Sequence, residues 1–323
     1  MIRQKREEHT ERKWCTLEES LNLLKYNSNK EGFKKLYNIT VMENIIIKDL
    51  KGLEEIKKAV SEGGADKLHV IADFDRTLTH SFFEGQRRTS LIAVLRENNY
   101  LTEDYPEKAR ALFDKYHPIE IDPNITVSEK KKTMRQWWQG HFELLIRSGL
   151  NKNDIEKAVS SGKIKFRGGA DKFFDSLQSN KIPLIILSAN GLGTGAMSMF
   201  FEKNGGLHNN IHIISNSFEW DEKGNMVGFK EPLIHSMNKD ETVLKNFPAI
   251  FQEVEDRPNV LLLGDNLGDV GMIDGFDHEN LIKIGFLNEN VEENLEQYKN
   301  NYDIVILNDS SMEHVNDLLK ELI

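Results

Sequence analysis

The stretch Leu68-His69-Val70-Ile71-Ala72-Asp73-Phe74-Asp75-Arg76-Thr77-Leu78-Thr79 decides how the chain is read. Its first five residues, mostly apolar, have the texture of a parallel strand buried on both faces. They run straight into two carboxylates two positions apart. At the C-terminal edge of a parallel strand, such side chains stand over the crevice where α/β proteins bind ligands. Two anions placed there repel each other and lose solvation unless they share a cation. The pattern points to Mg²⁺, and through Mg²⁺ to phosphate. Taken alone, the stretch fits a plain strand-end turn equally well, because Asp is common there. The rest of the chain decides between the two.

With 323 residues the chain can form one large domain or two modest ones around an ample apolar core. Its 42 Lys and Arg against 52 Asp and Glu give a net charge of −10, which argues against a nucleic-acid polymer as partner. A small phosphorylated substrate remains compatible, since a metal and one Lys reverse the sign locally. Cys15 is the only cysteine, which excludes an intrachain disulfide and fits a reducing compartment. The charged start, Met1–Lys13, is not followed by an apolar signal core. The apolar runs Ile182–Leu187 and Val260–Leu263 are far too short to span a bilayer. A soluble, cytoplasmic monomer with no membrane partner is expected.

Residues 1–40 carry scattered charge and no nameable chemistry, and read as an extension. Leu53–Val60 has helical periodicity that stops at Gly63-Gly64, ahead of the opening strand. After Thr79, residues 90–165 are mostly helical by pattern, with turn signals at Tyr105-Pro106, His117-Pro118 and Asp122-Pro123. Strand-like runs resume at Ile182–Leu187, Ile211–Ile214, Val260–Leu263, Leu281–Phe286 and Asp303–Leu307. Helical segments such as Ala170–Asn180 and Val291–Lys299 separate several of them. Alternation of strand and helix implies an α/β fold with a Rossmann-like parallel sheet covered on both faces. The expected division is a core of residues 41–85 and 166–323, with 86–165 inserted after the first strand as a helical cap.

Three more stations follow. The run Ile182–Leu187 ends in Ser188-Ala189-Asn190-Gly191, where one hydroxyl and backbone N–H groups could cradle phosphate; a simple strand–helix turn reads as well. Lys239, in His235-Ser236-Met237-Asn238-Lys239, is locally indistinguishable from a surface charge. Val260–Leu263 runs into Gly264-Asp265-Asn266-Leu267-Gly268-Asp269. There Gly264 permits a tight turn, and Asp265 and Asp269 share a face if the segment is helical.

The order of Asp-x-Asp-x-Thr, Ser, Lys and Gly-Asp-x-x-x-Asp resembles the haloacid dehalogenase superfamily of phosphotransferases. From about Asn44 onward the chain is similar to the cytosolic type III 5′-nucleotidases, the pyrimidine and 7-methylguanosine-phosphate-specific enzymes. The likeness is carried by Gly63-Gly64-Ala65, Pro118-Ile119-Glu120-Ile121-Asp122-Pro123, Trp137-Trp138, Ile211–Asn216, Gly228-Phe229-Lys230, Leu233-Ile234-His235, Asn238-Lys239, Leu261–Asp265 and Lys283–Asn288. Two positions depart from that family: Asn190 stands where Gly is usual, and Arg76 where smaller or neutral residues are usual. Restoring Gly at 190 is expected to preserve or improve activity.

The resemblance implies a haloacid dehalogenase-like core and a Mg²⁺-dependent hydrolase acting on nucleoside 5′-monophosphates such as UMP, CMP or 7-methylguanosine monophosphate. It implies Asp73 as nucleophile and Asp75 as general acid and base. It implies Mg²⁺ held by Asp73, Asp75 and Asp265, with Asp269 orienting that shell. Ser188, Ala189 and Lys239 would hold the phosphoryl group, Glu120 would read the base edge, and Trp138 would stack on the ring. Two other readings stand beside it: a nucleoside phosphotransferase using the same phosphoenzyme, and a non-catalytic nucleotide-binding protein.

Overall fold

The computed structural model describes residues 44–323 apart from 88–89, 98–99, 123, 240–242, 244–245 and 275–276. The chain divides into units of residues 1–46 and 47–323. The expected extension 1–40, with Cys15, lies outside the described residues. A short strand, β1 (Ile45–Ile47), crosses the boundary, and everything below concerns the second unit.

The first apolar run forms β2 (Leu68–Ala72), every residue of which is buried. The sheet strands that follow are β5 (Leu184–Leu187), β6 (Ile211–Ile214), β9 (Asn259–Gly264), β10 (Asn280–Leu287) and β11 (Ile304–Leu307), each close to its expected position. All six run parallel, in the order β11-β10-β9-β2-β5-β6. β2, β5, β9 and β11 are buried along their whole length, which explains their continuous Leu, Ile and Val runs. The chain winds outward from β2 through β5 to β6, then resumes at β9 on the other flank of β2. The strand order therefore reverses beside β2, and a crevice opens at the C-terminal ends of β2 and β9.

Helix α1 (Leu50–Gly63) is capped by the Asp49 carboxylate, which accepts from Gly52 N at 3.0 Å, and ends at left-handed Gly64 (φ 60°), as the double glycine suggests. Four helices follow β2: α2 (Leu91–Glu97), α3 (Tyr105–Ile121), α4 (Val127–Arg147) and α5 (Lys152–Ser160). One turn signal is overturned, because His117-Pro118 lies inside α3. The helix continues there because Phe113 stacks on His117 at 4.5 Å and Tyr116 on Trp137 at 5.9 Å, so packing outweighs the N–H that Pro118 lacks. Tyr105-Pro106 opens the same helix, and Asp122 caps its end.

Two antiparallel hairpins were not visible in the sequence. One pairs β3 (Phe82–Phe83) with β4 (Gln86–Arg87); the other pairs β7 (Phe218–Trp220) with β8 (Met226–Phe229). The second packs on α4 through Phe142, whose ring lies 5.1 Å from Phe218 and 5.4 Å from Phe229. The core is covered by α6 (Ala170–Ser179), α7 (Gly193–Lys203), α8 (Pro248–Val254), α9 (Val291–Asn301) and α10 (Glu313–Leu322). Among the described residues, no helix is long and apolar enough to cross a membrane.

Candidate active site

The end of β2 alternates as a strand must: Phe74 turns into the core against Phe200 and Phe201, leaving Asp73 and Asp75 to the crevice. Asp73 N donates to Leu263 O at 3.0 Å, which ties β2 to β9 at this point. The next residue, Arg76, is left-handed (φ 62°), and its N–H donates to Thr79 Oγ1 at 2.9 Å. The turn is held from beneath by Arg167, whose side chain has no solvent exposure. Its guanidinium donates to Thr77 O and Ser310 O, both at 2.7 Å, and to the Arg76 carbonyl, and it pairs with Asp309 at 3.1 Å. Asn288 Nδ2 adds a second donor to Arg76 O at 3.0 Å. Burial pulls the Arg167 guanidinium down to about 10, with Asp309 and Asp265 opposing.

At the end of β9, Gly264 has a different role from the expected tight turn. Its φ is not left-handed, but a Cβ there would lie 2.6 Å from Asp269 Cβ and 2.9 Å from the Tyr302 hydroxyl. The missing side chain makes room for both. Asp269 sits in a 3₁₀ turn (Leu267–Ile273), where its Oδ2 accepts from Asp265 N at 3.1 Å and Asn266 N at 3.0 Å. Two tyrosines brace the loop: Tyr298 of α9 donates to Asp265 O, and Tyr302, just past the end of that helix, to Asn266 O at 2.5 Å.

Lys239 joins these two strand ends. Its Nζ donates to Asp73 Oδ1 and, at 3.1 Å, to Asp269 Oδ1. Asp73, Asp265 and Asp269 are all buried, and each offers an oxygen within 4.8 Å of the others. Burial pushes the Asp73 carboxyl well above the usual carboxylate range; Lys239 pulls the other way, while Asp269 and Asp265 add to the rise. Burial also raises Asp265, opposed by Arg76, whose Nε lies 2.9 Å from Asp265 Oδ2. Burial alone would lower Lys239, but Asp269 and Asp73 override it and keep the ammonium charged. Asp75 is pushed up to about 7, again by burial, with the Asn190 amide and Arg76 holding it back.

Four carboxylates thus face two cationic side chains. The donor set fits a divalent, oxygen-seeking ion: buried carboxylate oxygens, close together and short of positive charge. Asp269 has both oxygens engaged, by Lys239 and by two N–H groups, which suits an orienting role.

β5 lies beside β2 in parallel register (Ala72 opposite Ile186), so Ser188, buried just past its end, emerges next to this cluster, with Ala189 half-buried after it. Asn190 does something the sequence did not suggest. Its Nδ2 donates to Asp75 Oδ2 at 2.9 Å, while its Oδ1 accepts from Leu192 N at 2.9 Å. Asn190 is not left-handed; that geometry falls at Gly193 (φ 71°), where a Cβ would strike Asn216 O at 2.3 Å. The other Asp75 oxygen, Oδ1, is buried without a protein partner.

Glu120 and Trp138 come from the helical block. Glu120, in the last turn of α3, accepts from Ser236 Oγ, three residues before Lys239. Trp138 packs edge-on against Trp137 at 5.1 Å, beside a core of Tyr116, Met134 and Trp137 that also receives Met237; its Nε1 is buried and unpartnered. Both residues therefore adjoin the Lys239 loop. Arg167, Ser236, Tyr298 and Tyr302 carried no sequence signal of their own, and Asn190 was marked only as a departure from glycine, since the partners of all five lie far away along the chain.

Residues 76–323 match the family profile described as Pyrimidine 5'-nucleotidase (UMPH-1). The chain is 40% identical over 272 residues to the 7-methylguanosine phosphate-specific 5'-nucleotidase of Mus musculus, covering 84% of this chain and 90% of that one. It is 38% identical over 286 residues to the Homo sapiens protein of the same name, covering 88% and 94%. Among solved structures, cytosolic 5'-nucleotidase IIIB bound to cytidine superposes with a TM-score of 0.78 at 29% identity, over 86% of this chain and 93% of that one. The family match spans more than half of the chain and the relatives cover most of it, and the chain belongs to the pyrimidine 5'-nucleotidase family as an enzyme of the 5'-nucleotidase class.

Proposed function

We propose that the chain hydrolyses nucleoside 5′-monophosphates to nucleoside and phosphate through an aspartyl-phosphate on Asp73, with Mg²⁺ as cofactor, in the cytosol. The observation that carries this reading is the Lys239 bridge between Asp73 and Asp269 at the C-terminal ends of β2 and β9. Asp73, Asp265 and the Asp75 carbonyl would hold the ion. When bound, it supplies the positive charge that keeps Asp73 ionised and offsets charge on the phosphoryl group.

The steps use the chain's own groups. A carboxylate oxygen of Asp73 attacks phosphorus in line, and the bond from phosphorus to the 5′-oxygen breaks. Asp75, whose burial favours the protonated form, gives its proton to the leaving 5′-oxygen. Asp75 then takes a proton from water, whose oxygen attacks phosphorus; the bond to Asp73 breaks and phosphate leaves. Its unpartnered buried Oδ1 suits such a transfer. Ser188, the Ala189 backbone and Lys239 steady the phosphoryl oxygens. The helical block 86–165 acts as a cap that excludes water, with Glu120 on the base edge and Trp138 against the ring.

The relatives named above act on 7-methylguanosine phosphate, and the solved structure holds cytidine. For this chain we carry both substrates. A methylated purine is cationic and attracts a carboxylate and an indole face, while cytosine can donate its amino group to Glu120. The test is phosphate release from UMP, CMP, AMP, GMP and 7-methylguanosine monophosphate, with and without Mg²⁺. Release from CMP and 7-methylguanosine monophosphate that stops on chelation is expected. No release from any nucleotide would overturn the reading.

A further inference from the structure

The contact between Ser236 and Glu120 joins the two ends of the site. Ser236 belongs to a tightly laced loop. Ile234 exchanges two hydrogen bonds with Asn216, at 2.9 Å each; His235 N donates to Asn238 Oδ1 at 2.7 Å, and Asn238 Nδ2 to Leu233 O at 2.8 Å. Leu233, Ile234 and His235 are buried. The loop is thereby fixed to the core just after β6, and it ends at Lys239.

Glu120 has little support of its own. It lies one position before the end of α3, where the helix dipole disfavours a carboxylate and no basic residue stands in the last turn. Two residues earlier, Pro118 has no N–H to bond back to the preceding turn, so the helix itself holds this segment weakly. Among the described residues, the hydroxyl of Ser236 is the one donor to Glu120, at 2.5 Å on Oε1. Next to it, Met237 packs on the Tyr116, Met134 and Trp137 core beside Trp138.

We infer that Ser236 is a positioning residue for base recognition: its hydroxyl engages one Glu120 oxygen, fixes the carboxylate plane, and leaves Oε2 to accept from the base. Because the same loop carries Lys239, the distance between the base-reading carboxylate and the phosphoryl-binding ammonium is set by one rigid segment. The inference deepens the reading of Glu120 given above and rests on it.

The experiment compares the wild type with S236A, S236T and E120A, reading KM and kcat on CMP and 7-methylguanosine monophosphate together with product inhibition by the nucleoside and by inorganic phosphate. S236A is expected to raise KM for both nucleotides, and the inhibition constant of the nucleoside, about tenfold, the weight of one hydrogen bond to a charged group. Its kcat and the inhibition constant of inorganic phosphate should stay within about twofold, since the phosphate end is untouched. S236T keeps the hydroxyl and should restore KM. In the double variant, S236A should add nothing to E120A. Equal weakening of nucleoside and inorganic phosphate would make Ser236 a support of the Lys239 loop and overturn the inference, as would an unchanged nucleoside constant. The underlying reading fails separately: if E120A leaves nucleoside inhibition unchanged, Glu120 does not read the base, whatever S236A does.

Discussion

Asn190 donates its side-chain amide to Asp75 Oδ2 at 2.9 Å, and this bond alters what is expected of the position. Judged by its family, Asn190→Gly restores a lost glycine. Judged by its contacts, it deletes a donor that favours the charged form of a buried carboxyl already pushed up to about 7. We predict that Asn190→Gly loses about tenfold in turnover. The alkaline limb of the pH–rate profile, set by loss of the Asp75 proton, should move to higher pH, because the amide stabilises the anion and its removal favours the protonated acid. Activity at or above wild type would return Asn190 to a passive loop residue.

Arg76 places a positive charge 2.9 Å from an Asp265 oxygen. That guanidinium and a divalent ion compete for the same carboxylate, and its charge repels the ion. Arg76→Ala should tighten Mg²⁺ binding, measured by calorimetry without substrate, by at least about fivefold, a modest share of the few kcal/mol between charges at this range. Unchanged or weaker binding would mean that Arg76 organises Asp265 for the ion.

Trp138 shows an indole ring standing edge-on to Trp137 with its Nε1 unpartnered. If its face receives the base, Trp138→Ala should weaken 7-methylguanosine monophosphate more than CMP, by ~0.5–2 kcal/mol, the scale of a cation–π contact. Equal losses in kcat/KM on the two substrates would make Trp138 a packing element.

His141, on α4, is buried against Gly191 of the Ser188 loop, where a Cβ on that glycine would lie 3.3 Å from its Nε2. Burial, helped by the charge of Arg96, pulls its pKa down to about 4. The unfolded chain therefore binds a proton that the native state refuses. The contribution is complete above about pH 6.5 and is lost as pH falls toward 4, on the order of 3 kcal/mol at most. His69, pulled down to about 4 mainly by burial, behaves alike. His141→Gln should lose melting temperature less steeply than the wild type as pH falls across this window, the raised Asp73, Asp75 and Asp265 carboxyls contributing the opposite slope equally in both proteins. An unaltered slope in that variant would contradict the assignment.

The strand ends were legible because a parallel strand buried on both faces writes a continuous apolar run, and Asp73 and Asp265 interrupt two such runs where the sheet ends. Lys239 was legible only through the order of the stations and the family likeness, since nothing local separates it from other lysines. Arg167 was not legible: its value lies in carbonyls of Arg76, Thr77 and Ser310 that only the fold brings to one guanidinium. Gly264 was noticed for the wrong reason, because a glycine that admits Tyr302 looks in sequence like a glycine that turns. The Pro118 turn failed where aromatic packing around Phe113 and Tyr116 carries the helix through.

The central claim is a covalent phosphoryl group on Asp73. Asp75→Asn removes the base that activates water as well as the acid that assists the leaving 5′-oxygen, and that species should accumulate if its hydrolysis is slowed more than its formation. Acid-quenching this variant with CMP or 7-methylguanosine monophosphate, then mapping its peptides by mass, should find one phosphoryl group on the peptide containing Asp73. Asp73→Asn should carry none and release no phosphate while remaining folded. Substantial phosphate release by Asp73→Asn, or a phosphoryl group mapped to another residue, would contradict the account.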